Sequence, residues 1–287
     1  MRLYYYAYTG HKYGLDRMKR ATALLKGLRA SGIDTMLLVN DFRAGLAARD
    51  FGVSESVTIE GIQDIDAIAE VGDSIIIDSP EDDHGRLVKY CSDFKRVFRF
   101  AETDEDSTIH DEVMLTVDCD NDACISANIV DDFYFEEHKK EERTLFFLGD
   151  SDADKTILNN SDVFVDQNVE LLLGHYFYVK YESDLEKIFS KLHESEEYME
   201  LIATSSRVVT ASYQTALEAK VAGAEVIFIN LRDLEDKKVK LLKLLNIEIN
   251  NSILFNIVKH KESEGVVDIS KVIEKNETLV TKIINML

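Results

Sequence analysis

Short apolar runs of strand length alternate along the chain with longer segments whose apolar residues recur at helical spacing. This alternation is typical of α/β layers, because buried parallel strands are apolar on both faces whereas helices are apolar along one stripe. In the first half the pattern predicts helices at residues 13–31, 43–51, 65–70 and 85–94. It predicts strands there at residues 3–8, 35–40, 56–59, 74–78, 96–101 and, more weakly, 113–117.

The alternation is interrupted at residues 102–143, which are dense in acids and end in the charged run EEHKKEER. We interpret this charged run, residues 136–143, as a crossing between domains, since charge runs of this kind favour a solvated loop. The alternation then resumes with strands predicted at 144–148, 169–173, 177–179, 207–210 and 225–229. Helices are predicted at 183–192, 196–203, 213–222, 237–245 and 272–286. The economical expectation is two doubly wound, Rossmann-like α/β domains facing a cleft, at residues 1–140 and 141–287.

The most informative segment is TASYQTALEAKVAGAEVIFI at residues 210–229, which reads as strand end, hydroxyl-rich turn, helix and strand. A turn of this kind at a helix start suits an anion, because the first backbone N–H groups lack helical partners and carry partial positive charge. Further along the helix, Gln214 and Glu218 share one face, where Glu218 is placed to accept sugar hydroxyls. A helix packed on a sheet with a capping serine, and no ligand, is the alternative interpretation.

Composition narrows the classes of partner. The 287 residues include 45% hydrophobic residues, enough for real cores, and 33 basic against 54 acidic residues give a net charge of -21. A surface this negative repels nucleic acid and anionic lipid, so neither is an expected partner. We find no apolar run long enough to span a membrane and no secretory leader, and we expect a cytoplasmic protein. Nothing in the sequence predicts its oligomeric state.

The three cysteines are Cys91, Cys119 and Cys124, too few and too scattered for a disulfide framework, and reduced thiols would fit the cytoplasm. The run DCDNDAC at residues 118–124 has metal-like residue types. It lacks the glycine and terminal glutamate of a calcium loop and a second cysteine pair for zinc. We therefore expect no metal and no other cofactor.

The turn after the first strand lies in a local cationic region of this acidic chain. Residues 10–50 contain eight basic and four acidic residues. Such a region suits a small phosphorylated anion, and Lys12, Arg17 and Arg20 are the candidate ligands for it. Cations late in the same helix need no ligand, because they favour the helix dipole. No phosphate-binding Walker loop, zinc HExxH motif, nucleophile elbow or G-x-G-x-x-G motif is present.

The segment from Ser212 onward resembles the nucleotide-sugar-binding element of GT-B glycosyltransferase-like proteins, T-x-x-E-A-x-x-x-G-x-P-x-I. Together with GLDRMKRATALL (14–25), SIIIDS (74–79), LGDSD (148–152) and LG (173–174), it resembles in order the UDP-sugar hydrolases of the pseudaminic acid pathway. The chain departs from these patterns at several points. Ser212 and Tyr213 stand where the family has paired glycines, and Ser79 and Pro80 stand where it has His-Tyr. When Arg20 is aligned with the family's arginine, Arg17 occupies the position of the catalytic histidine.

The resemblance implies attack of water on a nucleotide-linked sugar, with a neutral histidine as base. His11 is the candidate base and Asp78 its orienting or water-contacting partner. The candidate ligand residues around nucleotide phosphate, ribose and base are Gly149, Ser151, His175, Ser212, Tyr213, Gln214, Thr215 and Glu218. An aromatic core is the alternative for the segment around His175.

The sequence thus predicts a GT-B-like protein that binds a nucleotide sugar, UDP-linked by resemblance. It would act as a hydrolase or a glycosyltransferase in bacterial surface-glycan synthesis of the nonulosonic acid type, a pathway that rests on the resemblance alone. The alternative is a non-catalytic relative that binds a sugar nucleotide or a partner protein, which the displaced histidine favours.

Overall fold

A computed structural model describes residues 1–119, 124–177, 181–253, 269, 273 and 275–287. The chain divides into two compact units, Met1–Asp131 with Ile273–Leu287, and Asp132–Val272. None of the helices in these described ranges is both long and apolar enough to cross a bilayer.

The first unit contains a seven-stranded parallel sheet. Its strands are β1 (Leu3–Ala7), β2 (Thr35–Val39), β3 (Ser56–Thr58), β4 (Ser74–Asp78), β5 (Arg96–Phe100), β6 (Val113–Thr116) and β7 (Cys124–Ser126). Its helices are α1 (Asp16–Ala30), α2 (Phe42–Ala47), α3 (Ile65–Ile68), α4 (Arg86–Asp93) and the C-terminal α10 (Asn276–Met286).

The second unit contains a six-stranded parallel sheet. Its strands are β8 (Glu141–Phe147), β9 (Val169–Leu172), β10 (Lys191–His193), β11 (Ser205–Thr210), β12 (Glu225–Ile229) and β13 (Glu248–Asn250). Its helices are α5 (Thr156–Asn159), α6 (Glu182–Leu185), α7 (Tyr198–Thr204), α8 (Tyr213–Val221) and α9 (Asp236–Leu244).

The two sheets share one topology. The first has the order β3-β2-β1-β4-β5-β6-β7 and the second β10-β9-β8-β11-β12-β13. In each, the first strand of the unit is central and the chain reverses its direction of winding beside it, between β1 and β4 or between β8 and β11. Such a point in an open parallel sheet opens a crevice at the carboxyl ends of the strands, where ligands of doubly wound proteins bind. The predicted α/β class with two Rossmann-like units is confirmed.

Burial on both faces explains why the central strands read as continuous apolar runs. All five residues of β1 are buried, as are all five of β4. In the second unit Phe146, Leu171 and Val209, from three neighbouring strands, belong to one buried cluster with Phe164 and Phe189. Helices must therefore cover both faces of each sheet, and the chain supplies them between the strands.

The unit boundary differs from the division at residue 140 in two respects. The second unit begins at Asp132, and helix α10 belongs to the first unit. Helix α10 packs on α1 where Gly27 lies, and a Cβ at Gly27 would stand 2.8 Å from Val280 Cγ2. The missing side chain allows the close approach of these two helices. A hydrophobic pattern identified α10 as a helix but carried no information on which unit it packs against.

Three local features differ from the predictions. Residues 183–192 do not form one helix, because α6 ends at Leu185 and β10 begins at Lys191. Within residues 102–143, β6 lies where the weak strand was predicted at 113–117, but β7 was not predicted. Cys119 and Cys124 form a disulfide instead of two thiols, with an S–S distance of 2.12 Å. Of the strand predicted at 177–179, residues 178 and 179 lie outside the described residues, as do residues 120–123 of the acidic run.

Candidate functional site

Helix α8 begins at the carboxyl end of β11 with a serine cap. Ser212 is extended, and its Oγ accepts a hydrogen bond from the Thr215 backbone N–H at 3.1 Å. The Thr215 hydroxyl lies 2.8 Å from the same Oγ, and Thr210 Oγ1 accepts from the Ser212 N–H at 3.0 Å. These bonds hold the turn in shape, so the helix start is preformed at the sheet edge.

The inner face of α8 carries a buried polar network. Tyr198 of α7 donates to Glu218 Oε2 at 2.6 Å, and its hydroxyl lies 2.7 Å from Thr215 Oγ1. Gln214 Nε2 donates to Glu218 Oε1 at 2.8 Å. Burial, together with the Glu218 charge, raises the pKa of Tyr198 well above its ordinary value. Both oxygens of Glu218 are therefore engaged by protein donors, in a site where an unmade hydrogen bond is costly.

The turn after β8 packs tightly on the turn after β9. A Cβ on Gly174 would stand 2.4 Å from Asp150 Cα and 2.5 Å from the Gly149 carbonyl oxygen, so no side chain fits there. The Tyr176 N–H donates to the Asp150 carbonyl at 2.8 Å. Gly149 itself has a φ of 142°, in the region that favours glycine. The two glycines predicted from the LGDSD and LG runs thus shape one joint turn.

This joint turn brings His175 beside an acid. His175 Nδ1 lies 3.5 Å from Asp150 Oδ1, and the two side chains are 12% and 1% exposed. Ser151 follows directly, and its Oγ is buried without a hydrogen-bond partner. Asp152 next along accepts from the backbone N–H groups of Thr156 and Ile157 at 2.6 and 3.2 Å.

The turns after β8 and β11 lie at the same edge of the sheet. Phe147 and Thr210, the last residues of the two strands, are paired in register. The turn at residues 148–151 and the cap at Ser212 therefore leave the sheet side by side at the reversal point of the winding. Tyr213 begins α8 at this place, and Lys238 Nζ lies 5.7 Å from the centre of its ring. The second unit thus places Gly149, Ser151, His175, Ser212 and Tyr213 at one edge of the sheet, whereas Gln214, Thr215 and Glu218 lie in the buried network under α8.

In the first unit Asp78 is the centre of a different arrangement. Its side chain is fully buried and forms an ion pair with Arg20, whose Nε donates to Oδ2 at 2.6 Å and whose Nη2 contacts Oδ1. The Tyr5 hydroxyl donates to Oδ2 at 2.8 Å. Burial alone would lower the pKa of Arg20, but the charge and hydrogen bonds of Asp78 raise it above its ordinary value. Asp78 therefore pairs with Arg20, whereas the sequence predicted that it would lie beside His11.

Arg17 and the turn before it lie at the carboxyl end of β1. Arg17 Nη2 forms an ion pair with Glu102 at 2.5 Å, and its Nε lies 3.4 Å from Asp78 Oδ1. Two cations lie close to the Tyr13 ring, with Lys12 Nζ 5.4 Å and Arg17 Cζ 5.5 Å from its centre.

His11 is exposed in the same turn, and its Nε2 lies 3.5 Å from Arg43 Nη1. The structure thus gathers Lys12 and Arg17 around one tyrosine, and it places His11 beside Arg43 of α2. The roles of all these residues in binding or catalysis stay predictions.

Several residues that sequence reasoning missed organise these two edges. Tyr198 holds Glu218, and Asp150 faces His175. Asn40, at the end of β2, accepts from the Thr9 N–H at 2.7 Å and donates to the Thr9 carbonyl at 3.1 Å. Only Asp150 and Asn40 carried a signal, since each is a polar residue close after a buried strand. Among the described residues, no group of three or more histidine, cysteine or acidic side chains is arranged to hold a metal ion.

No family model matches the chain, and no curated protein matches its sequence. Solved structures do resemble it. The glycosyltransferase SnogD from Streptomyces nogalater has a TM-score of 0.57 at 13% identity, over 100% of this chain and 99% of that one. The spinosyn rhamnosyltransferase SpnG has a TM-score of 0.57 at 12% identity, over 100% and 96%. The UDP-GlcNAc 2-epimerase from Methanocaldococcus jannaschii has a TM-score of 0.55 at 12% identity, over 99% and 100%.

The fold is that of GT-B proteins. The likeness covers nearly the whole of each compared chain, so both units take part in it. At these identities it establishes architecture alone. The chemistry has to be argued from the residues.

Proposed function

We propose that this protein binds a nucleotide sugar at the carboxyl edge of the second sheet and acts on it as a glycosyltransferase or as a hydrolase. One observation carries the proposal. The capped start of α8 and the turn at residues 149–151 stand side by side at the reversal point of a sheet with the order β10-β9-β8-β11-β12-β13. This is the place where doubly wound sheets bind phosphorylated ligands, with phosphate at the helix start.

The chemistry of the edge supports the proposal. The Ser212 side chain caps α8 by accepting a hydrogen bond from the Thr215 N–H, so the first turn of α8 is already oriented before a ligand binds. The Ser151 hydroxyl is buried without a hydrogen-bond partner, and a phosphate oxygen or a sugar hydroxyl would supply one. SnogD is a glycosyltransferase, SpnG is a rhamnosyltransferase and the epimerase is a UDP-GlcNAc 2-epimerase, and these similar structures favour a nucleotide sugar over a dinucleotide as the ligand class.

The finer parts of the proposal rest on the motif resemblance. These are a UDP-linked donor, bacterial surface-glycan synthesis of the nonulosonic acid type, a cytoplasmic location, and His11 as base. The first unit, residues 1–131 and 273–287, would supply the acceptor or catalytic side, and the second unit, residues 132–272, the nucleotide side. A glycosyltransferase would release nucleotide only when an acceptor is present, whereas a hydrolase would need water alone.

A non-catalytic binder is the second candidate, and the arrangement of Asp78 favours it. A histidine base needs a partner that holds its ring and stabilises its charge. Asp78, the acid expected for that task, is bonded to Arg20 and Tyr5. Such a protein would bind the nucleotide sugar without turning it over.

The proposal is tested by thermal shift and calorimetry on the full chain with UDP, CMP, GDP and their sugars. We expect one nucleotide and its sugar to stabilise the protein. The tightest sugar is then incubated with the protein, with and without candidate acceptors, and nucleotide release is measured. His11→Ala should abolish release and spare binding, with His84→Ala, an exposed histidine of the same unit, as the control.

The results of these measurements distinguish the two enzyme functions from the non-catalytic binder. No stabilisation by any nucleotide would refute both enzyme readings and the binder. Binding without release would select the binder. Release at an unchanged rate in His11→Ala would leave sugar chemistry in place and remove His11 from it.

A further inference from the structure

The loop between β4 and α4 holds a carboxylate in a fixed position. Glu81 Oε2 accepts hydrogen bonds from the Tyr6 hydroxyl at 2.6 Å and from the Ser79 hydroxyl at 2.8 Å. It also accepts from the Ile62 N–H at 3.3 Å. These donors belong to strand β1, to the loop itself and to the segment after β3, so separate parts of the first unit fix the orientation of this side chain.

Oε1 of the same carboxylate accepts no hydrogen bond from any residue in the described part of the chain. Glu81 is half-buried, and Oε1 is not one of the fully buried side-chain atoms that lack a partner, so solvent reaches it. Gly61 leaves room for this oxygen, because a Cβ at Gly61 would stand only 2.7 Å from it. An ionised carboxylate only accepts hydrogen bonds, so Oε1 is placed to bind a donor group of a ligand.

Asp78 cannot make such a contact, although the sequence predicted a water contact for it. Its side chain is fully buried, Oδ2 accepts from Tyr5 and Arg20, and Oδ1 is paired with Arg20. Glu81 follows three positions later, after the same strand. A ligand hydroxyl at this edge of the first sheet can therefore meet the carboxylate of Glu81 but not that of Asp78.

The surroundings of Glu81 suit a neutral sugar better than an anion. The loop at residues 79–85 contains three acids and neither lysine nor arginine, so it repels phosphate and carboxylate groups. Tyr8 lies within range of the Glu81 charge, since burial and then that charge raise the pKa of Tyr8. The Tyr8 ring meets the exposed Tyr13 ring edge to face, with 5.2 Å between centroids. A sugar presents hydroxyl donors and an apolar C–H face, which match a carboxylate oxygen near aromatic rings.

We propose that Glu81 Oε1 binds a hydroxyl of the acceptor and that this acceptor is a neutral saccharide. The inference rests on the proposed function and deepens it, since it names the acceptor class and selects sugar transfer over hydrolysis. A different hydroxyl of the same saccharide attacks the anomeric carbon of the donor sugar and gives its proton to the base. The bond from that carbon to the phosphate oxygen breaks, and the nucleotide leaves with the electron pair.

The test measures nucleotide release by the full chain from its tightest nucleotide sugar. The acceptors are the methyl glycosides of glucose, galactose, mannose and N-acetylglucosamine, their monodeoxy forms, and the corresponding uronates as anions. We expect one neutral glycoside to stimulate release above the rate in water alone. One of its deoxy forms should have a KM about tenfold higher, the effect of one hydrogen bond to a charged group.

Glu81→Gln changes the proposed contact without changing its shape. The donors from Tyr6, Ser79 and Ile62 favour the amide oxygen at the position of Oε2, so the amide NH2 takes the position of Oε1 and an acceptor becomes a donor. We expect the KM of the glycoside to rise about tenfold and the KM of the nucleotide sugar to stay the same. The deoxy form that is impaired in the unaltered protein should lose nothing further in this variant.

Two further variants make the result specific. Glu60→Gln makes the same change at an exposed glutamate of the first unit and should leave both KM values unchanged. Gly61→Ala retains Glu81 but brings a methyl group against Oε1, and it should also raise the KM of the glycoside. Melting curves show that each variant is folded, and Gly61→Ala provides the test if Glu81→Gln is not.

An unchanged KM of the glycoside in folded Glu81→Gln, or in folded Gly61→Ala where Glu81→Gln does not fold, overturns the inference and leaves the proposed function intact. Release in water that no neutral glycoside stimulates, or stimulation by uronates alone, does the same. Nucleotide binding without any release overturns the inference and selects the non-catalytic binder. Absence of binding by every nucleotide overturns both this inference and the proposed function.

Discussion

Removing the Tyr198 hydroxyl tests whether the polar network under α8 stabilises the second unit. Tyr198→Phe keeps the ring, which packs 5.3 Å from Phe147 between centroids, and deletes the donor to Glu218 Oε2 and the contact with Thr215. A hydrogen bond to a charged group contributes about 1.5–3 kcal/mol, more than one to a neutral group, so we expect a loss of about 2 kcal/mol. Tyr198 and Glu218 are both buried, and water cannot easily replace the lost donor.

The loss should be confined to the second unit, so the assay has to resolve the two units. Hydrogen exchange read by mass spectrometry does so, because peptides from β8 and β11 report the second unit and those from β1 and β4 the first. A loss of about 2 kcal/mol would speed the slowest exchange in β8 and β11 about 30-fold if these amides open with the unit.

The matched control is Tyr90→Phe in the first unit, whose buried hydroxyl donates to the neutral Ile62 carbonyl at 2.6 Å. It should cost about 1 kcal/mol and affect only β1 and β4. A slowest exchange rate in β8 and β11 of Tyr198→Phe within twofold of that in the unaltered protein would refute the reasoning. It would mean that the hydrogen bond from Tyr198 to Glu218 does not stabilise the second unit.

Two further predictions concern charge. Asp78→Asn should destabilise the first unit by about 3–5 kcal/mol, because it leaves the Arg20 guanidinium buried without its counter-charge. Urea unfolding followed by a probe in that unit would measure the loss. A cost below about 1 kcal/mol would contradict the pairing of Asp78 with Arg20. Burial lowers the pKa of Lys140 to about 8 from its ordinary 10.5, so between these pH values the unfolded chain binds more protons at this site than the folded chain. The free energy of unfolding of the unaltered protein should therefore rise with pH relative to that of Lys140→Met. Denaturation at pH 7.5 and pH 10 measures that difference, and an unchanged or falling difference would show that Lys140 is not desolvated.

The sequence by itself determined the layered α/β class, most strand positions and the capped turn at Ser212. These are local properties. A buried parallel strand has to be apolar along its length, and a helix start has to satisfy its own first N–H groups. Strand β4 and the Ser212 cap could therefore be predicted from neighbouring residues alone.

The partners of the buried polar groups were decided only by the tertiary structure. Tyr198 and Glu218 are 20 residues apart, and Tyr5 and Asp78 are 73 apart. Strand order and register bring such pairs together, and neither can be deduced from the residues at the two positions. For the same reason a hydrophobic pattern could not assign α10 to the first unit. Sequence reasoning could identify residues that require a partner, but the folded chain determined whether that partner is the protein itself.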